Sequence, residues 1–363
     1  MSGASYRVVY LPGDGVGPEV LAAARRCVDA AGERFGFSVE WDEHVVGGAA
    51  IDAYGTALRE DTIAAAREAD AVLLGAVGGP RWDDPRASVR PEQAILGLRF
   101  ALELFANLRP VRAIDALADA SPLRPEVRTG TDLLVVRELT GGVYFGKPQG
   151  QTADGAVDTC AYSRPEVERI ARLAFELARG RRRQVLSVDK ANVMATGRLW
   201  REVVTDVARD YPDVQLQHAL ADSTATALVT RPASFDVIVT DNHFGDLLSD
   251  EAAAIAGSLG LLSSASLGER MTAHGRFGLY EPIHGSAPDI AGRGIANPTA
   301  AIDSAALMLR WSFGQEAAAS ALEAATTATL EGGPWTRDLE GEATTDEVTE
   351  AVLSAFARTA VPA

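Results

Sequence analysis

Short apolar runs of strand length recur between longer helical patterns along this chain, and that alternation restricts the fold more than any other feature. RVVYL (7–11) leads into a glycine-rich turn and a helical stretch from about Pro18 to Phe35. AVLLGAV (71–77) follows the helical DTIAAAREAD, and LLVV (133–136), VLSV (185–188), VQLQ (214–217) and VIVT (237–240) come later. Between them lie Ala-rich segments carrying Arg and Glu, such as PEVERIARLAFELARG, where Ser163 and Glu166 form a capping box at the start. Continuous apolar runs read as strands covered on both faces, so the pattern predicts an α/β protein with a largely parallel, buried sheet. One segment, from Gly141 to Tyr162, is rich in Gly and polar residues with short β-prone patches; it suits a projecting hairpin or arm. After about Gly257 the pattern reads as helices and loops.

Length and charge narrow the class of function. The 363 residues are long for one core and comfortable for two. A net charge of −16 argues against a nucleic-acid partner held by a general basic field, although a local arginine cluster can still hold an anionic small molecule. The one dense basic run, RGRRR (179–183), reads as a solvated helix end. Cys27 and Cys160 make neither a disulfide framework nor a zinc site. No signal peptide is visible, and no apolar run approaches the roughly 20 residues that span a bilayer. The expectation is a reduced, cytoplasmic protein with no membrane partner.

Several motifs carry chemistry, each beside a plainer reading. LPGDGVGPEV (11–20) sits where a dinucleotide fingerprint would, between strand and helix, but its glycines are spaced G-x-G-x-G. A tight turn with Pro18 in the first helical turn is the default, and a standard Rossmann site is not expected. Arg99, Arg109 and Arg137 stand in LGLRF, ANLRP and VVREL; guanidinium forks suit carboxylates, and surface arginines are the alternative. Lys190, in SVDKANV, ends an apolar run and is either a cleft-facing base or a solvated lysine. In TDNHFGDLLSDE, Asp246 and Asp250 are four apart and share one helical face. Two carboxylates there suit a hard cation such as Mg2+ or Mn2+, or simply answer the helix dipole. Asp222, after VQLQHAL, is a third candidate ligand.

Together, LPGDGVGPEV, FANLRP, RELTGGVYFG, SVDKANV, NHFGDLLSD and EPIHGSAPDIAGRGIANPTAA resemble the β-decarboxylating dehydrogenases of (2R,3S)-malate-type acids, in the isopropylmalate branch of the isocitrate/isopropylmalate family. The resemblance runs in order from about residue 6 to about residue 315. It implies a two-domain, non-Rossmann α/β fold with a cleft, the chain crossing twice: residues 1–104 with 262–363, and 105–261 with a dimer arm at 141–162. It implies NAD-dependent oxidative decarboxylation of a 3-alkylmalate, with 3-isopropylmalate to 2-oxo-4-methylpentanoate, a step of leucine biosynthesis, as the first expectation. A tartrate, D-malate or homoisocitrate enzyme, a specialised paralogue, or a silent regulatory subunit are the alternatives.

Residue by residue, the resemblance implies that Arg99, Arg109 and Arg137 bind substrate carboxylates, Tyr144 donates a proton, Lys190 acts as base, and Asp222, Asp246 and Asp250 hold Mg2+ or Mn2+. Lys190 and Asp222 would come from the neighbouring subunit, making the site a property of a homodimer. Glu92, Ile95 and Leu96, with Val193 of the partner, would surround the 3-alkyl group, while Glu281, His284, Gly285, Ala287, Asp289, Ile290 and Asn297 would meet the cofactor. Asp289 followed by Ile290 matches the NAD form, since a carboxylate there accepts from a ribose 2′-hydroxyl and repels a 2′-phosphate; NADP forms carry lysine and tyrosine. This chain departs from the family pattern in STATAL after Asp222, in extra residues in ASLGERMTAHGRFGLYEP, and at Asp241 and His243, where the family usually has less polar residues.

Overall fold

The computed structural model describes residues 3–84 and 86–359. Two compact units are present, one made of residues up to Leu104 and from Ser258 onward, the other Phe105–Gly257. In chain order the first unit begins with β1 (Ala4–Gly13), α1 (Gly17–Phe35), β2 (Phe37–Glu43), α2 (Gly47–Tyr54), α3 (Glu60–Glu68), β3 (Ala71–Ala76) and α4 (Gln93–Ala101). The second unit holds β4 (Ala106–Arg112), α5 (Pro125–Arg128), β5 (Asp132–Glu138), β6 (Gln149–Thr152), β7 (Gly155–Asp158), α6 (Arg164–Arg179), β8 (Gln184–Asp189), α7 (Ala195–Ala208), β9 (Gln215–Leu220), α8 (Ala221–Thr230), β10 (Val237–Thr240) and α9 (Asn242–Ala256). The first unit is then completed by β11 (Ser263–Met271), β12 (Arg276–Pro282), α10 (Thr299–Trp311), α11 (Glu316–Gly332) and α12 (Thr345–Arg358).

In the first unit the strand order is β2-β1-β3-β12-β11, parallel except for β11 against β12. Val8, Val9, Leu11 and Val72 to Leu74 are buried, as strands covered on both faces require. The sheet of the second unit runs β4-β5-β10-β8-β9, with only β4 antiparallel to its neighbour. The Ser163–Glu166 capping box starts α6, each side chain answering the other's backbone end. The basic run that follows is only partly a solvated helix end: Arg179 pairs with Asp213, whereas Arg181 reaches the fully buried Asp236 at 2.8 Å. Among the described residues no helix is long and apolar enough to cross a membrane.

One expectation is corrected. Beyond Gly257 the chain does not return to helices and loops; it adds β11 and β12 first. Ser263, Ser264 and Ser266 are buried, and Ser264 meets Glu281 and Ser304 through hydrogen bonds. Small polar side chains let α10 approach the strand closely, but they erase the apolar alternation by which a strand is read.

Candidate active site

In open parallel sheets, side chains from several elements meet beyond the carboxyl ends of the strands. In the second unit Arg137 is the penultimate residue of β5, α9 opens one residue after β10, Lys190 directly follows β8, and Asp222 sits in the first turn of α8, directly after β9. The turn into α9 is fixed by Asp241, whose carboxylate caps the helix by accepting from the Phe244 N–H at 2.8 Å. Burial pushes that carboxyl up to about 6, against the pull of the N–H bond.

Asp246 and Asp250 project from α9 towards two arginines. Arg137 Nη1 bonds Asp246 Oδ1, and Arg109 Nη1 lies 3.0 Å from Asp250 Oδ1 and its Nη2 3.7 Å from Asp246 Oδ1. The guanidiniums are held from behind. Asn107 Oδ1 accepts from Arg109 Nε at 2.7 Å, and Ser249 Oγ accepts from Nη1 at 2.6 Å. Asn242 Oδ1 accepts from both Nε and Nη2 of Arg137, at 3.1 and 2.9 Å, while its Nδ2 donates to the Gly141 carbonyl. The arginine side chains are only 8% and 5% exposed, whereas those of Asp246 and Asp250 are 34% and 60% exposed. Positive charge is therefore set rigidly at the back and negative charge at the solvent front. Gly245 is required by this packing, since a Cβ there would lie 2.6 Å from Arg137 Cγ.

Tyr144 completes this cluster. Its hydroxyl donates to Asp246 Oδ2 at 3.1 Å and lies 3.2 Å from His243 Nδ1. Burial and the Asp246 charge raise its pKa, which keeps the phenol protonated. Lys190 stands in a second group, with Nζ 2.7 Å from Asp222 Oδ1; this contact lowers the Asp222 pKa. Val193 is 66% exposed.

In the first unit Arg99 donates to Glu281 Oε1 at 2.7 Å, and its buried Nε has no protein partner. Ile95 packs against the core, Leu96 is partly exposed and Glu92 lies at the start of α4, near Gly78. The 281–297 segment begins in the last two residues of β12 and continues beyond its carboxyl end. His284 Nδ1 lies 2.9 Å from the Gly285 carbonyl, so this nitrogen carries the hydrogen. Burial holds the ring neutral, and its buried Nε2 is left as an acceptor with no protein donor. Ala287 has φ +39°, a left-handed conformation costing about 1–3 kcal/mol, and its carbonyl accepts from the Ile290 N–H. Gly285 and Asp289 are exposed, and Asn297 is bound to Asp338 and to the Thr299 N–H. The glycine-rich turn packs here: Val16 N–H bonds the Ser286 carbonyl, and a Cβ on Gly15 would lie 1.9 Å from that oxygen. Chain-on-chain contact thus accounts for Gly15.

These residues fit the groups that the sequence resemblance implies. An all-oxygen pair, Asp246 and Asp250, is the donor set of a hard cation, which takes one or two carboxylates along with substrate and water. Among the described residues no three acidic, histidine or cysteine side chains are grouped to hold an ion, and Asp222 is paired with Lys190. The orphaned His284 Nε2 suits a hydroxyl or amino donor of a nucleotide, and the orphaned Arg99 Nε suits an anion. Sequence reading gave no role to Asn107, Asn242 or Ser249, and noted His243 only as a departure from the family pattern. Asn107 was within reach, being two residues from Arg109 on β4; the others meet their partners only through tertiary structure.

A family model for isocitrate/isopropylmalate dehydrogenases matches residues 7–352. The chain is 54% identical to a 3-isopropylmalate dehydrogenase of Anaeromyxobacter dehalogenans (strain 2CP-C), covering 97% of this chain and 99% of that one. It is 55% identical to a protein of the same description from Salinibacter ruber (strain DSM 13855 / M31), covering 98% and 94%. Among solved structures, an isocitrate dehydrogenase from Methylococcus capsulatus superposes with a TM-score of 0.84 at 34% identity, covering 97% and 99%. A β-decarboxylating dehydrogenase from Thermococcus kodakarensis superposes with a TM-score of 0.79 at 36% identity, covering 97% and 96%.

Proposed function

This chain belongs to the isocitrate/isopropylmalate dehydrogenase family, and from that premise we propose that it catalyses the NAD-dependent oxidative decarboxylation of (2R,3S)-3-isopropylmalate to 2-oxo-4-methylpentanoate, in the cytoplasm and for leucine biosynthesis. The observation that carries this reading is the cluster around the start of α9: two buried arginine forks, two solvent-facing carboxylates and a protonated tyrosine, linked by ion pairs and a hydrogen bond.

Its charge balance suits the chemistry. Two guanidiniums already offset two carboxylates, and a divalent cation with a malate dianion adds no net charge. Asp246 and Asp250, with Asp222 of a second copy, would hold Mg2+ or Mn2+, and the 281–297 segment would hold NAD+. When bound, these groups supply Lewis-acid stabilisation of charge on the substrate oxygens and an acceptor for the hydride. Arg99, Arg109 and Arg137 orient the substrate by its carboxylates, and the Asn107, Asn242 and Ser249 contacts mean that two of these forks need little reordering to do so. Lys190, from the second copy, takes the C2 hydroxyl proton as the alcohol becomes a ketone. CO2 then leaves, and Tyr144 delivers its proton to C3. Lys190 and Asp222 lie side by side, so they would reach the site of a second copy together.

The apolar Ile95, Leu96 and Val193 favour an alkyl group over the further carboxylate of isocitrate. The test is NADH formation with 3-isopropylmalate, isocitrate, D-malate and tartrate, with and without a chelator, and with Lys190→Ala. We expect 3-isopropylmalate to be preferred, chelator to abolish turnover, and Lys190→Ala to lower kcat by about 100-fold or more with the fold intact. Preference for another malate would reassign the substrate, and chelator-insensitive turnover would remove the cation from the reaction.

A further inference from the structure

His243, in the first turn of α9, has a specific neighbour in the structure. Its ring meets Tyr144 edge-on, with centroids 5.7 Å apart and planes at 87°. Nδ1 is 3.2 Å from the Tyr144 hydroxyl, which also lies 3.1 Å from Asp246 Oδ2. The phenol has one proton, and the carboxylate can only accept, so that proton points at Asp246. Nδ1 of His243 must then carry its own hydrogen and donate to the phenolic oxygen. His243 and Asp246 are three residues apart on α9 and so address the hydroxyl from one helical face. Tyr144 itself comes from a short turn, Gly142–Tyr144, and is 38% exposed; the α9 clamp supplies the fixed reference that the turn lacks.

We propose that His243 is a positioning residue for Tyr144, holding the phenol for proton delivery to C3 and steadying the phenolate that remains. The inference rests on the reading that Tyr144 is the proton donor. In that step the Tyr144 O–H bond breaks and a C3–H bond forms, while the enolate electron pair becomes that bond and the C2 ketone returns. The negative charge moves to the phenolic oxygen, where the Nδ1–H bond changes from a neutral contact into a charge-assisted one and strengthens when it is needed. Lys190 has meanwhile gained one proton; it and Tyr144 are both restored by exchange with solvent.

The variants are His243→Met, which removes the donor, and His243→Asn, which retains an amide donor. With 3-isopropylmalate, Mn2+ and NAD+, we expect His243→Met to lower kcat about tenfold with KM changed less than about twofold. Stopped-flow should show a burst of NADH equal to the sites followed by the slow phase, because hydride transfer precedes the impaired protonation. His243→Asn should recover most of the rate. An unchanged kcat in His243→Met overturns the inference while leaving the proposed function standing. Equal loss of burst and steady rate, or no rescue by His243→Asn, marks a merely structural role and also overturns it. Failure of the wild-type chain to turn over 3-isopropylmalate sinks the functional reading and this inference together.

Discussion

Asp241→Asn separates two forces acting on one carboxylate. As the cap of α9, Asp241 accepts the Phe244 N–H and lies at the positive end of a helix, both of which favour the ionised form. Burial opposes them and wins, lifting its pKa from 3.8 to about 6, with the neighbouring charge of buried Glu138 adding to the rise. A raised carboxyl pKa means that the native state holds the proton more tightly than the unfolded state. Stability from this group is therefore complete below about pH 4 and is lost as pH rises through about 6. About two pKa units at 1.36 kcal/mol each give about 3 kcal/mol, a ceiling because the side chain keeps some contact with water. Asparagine caps a helix about as well and does not titrate. Any cost of seating its NH2 group is the same at every pH, so the slope is the measurement. Urea unfolding at fixed chain concentration from pH 4.5 to 8, followed by tryptophan fluorescence, should show the variant gaining on the wild type by up to about 2 kcal/mol across that range, the other ~1 kcal/mol being lost already below pH 4.5. Buried Trp200 lines the same small cavity as Asp241 and reports locally. A difference independent of pH would mean that the helix end and the N–H bond outweigh burial, and the reasoning would be wrong.

Gly245→Ala should favour the isolated helix by about 1 kcal/mol yet raise KM for the malate substrate about tenfold or more, because the new methyl group would lie 2.6 Å from Arg137 Cγ and displace its fork. Steady-state kinetics beside urea unfolding checks this; an unchanged KM refutes it. Asp289→Lys should lower the NAD/NADP ratio of kcat/KM at least about tenfold by replacing a repulsive carboxylate with a partner for the 2′-phosphate. Kinetics with both cofactors decides it, and an unmoved ratio would take Asp289 out of the ribose contact.

What the sequence made legible was local in origin. Continuous apolar runs such as VIVT and VLSV are strands of the parallel sheet, and the i, i+4 spacing of Asp246 and Asp250 is a statement about a helix that holds once α9 is seen. The Ser163–Glu166 box likewise needs only three residues of context. The strand β11 was illegible because, apart from Leu267, its buried residues are small, serine, alanine and glycine, and suit close approach to α10 rather than an apolar alternation. The supports behind the arginines were illegible for another reason. Arg109 meets Ser249 across 140 residues, and Arg137 meets Asn242 across 105, distances over which no periodicity carries information. The glycine-rich turn lay between: its spacing ruled out a standard dinucleotide fingerprint, but only the fold reveals Ser286 pressed against Gly15.

The β6–β7 hairpin has all eight of its residues exposed. An isolated two-stranded ribbon is marginally stable in water, so a lone chain has little to hold this one in shape. If a sister molecule is what covers it, order in the ribbon follows mass action. On dilution the ribbon would loosen before the rest of the chain, and turnover per chain would fade while the helices persisted.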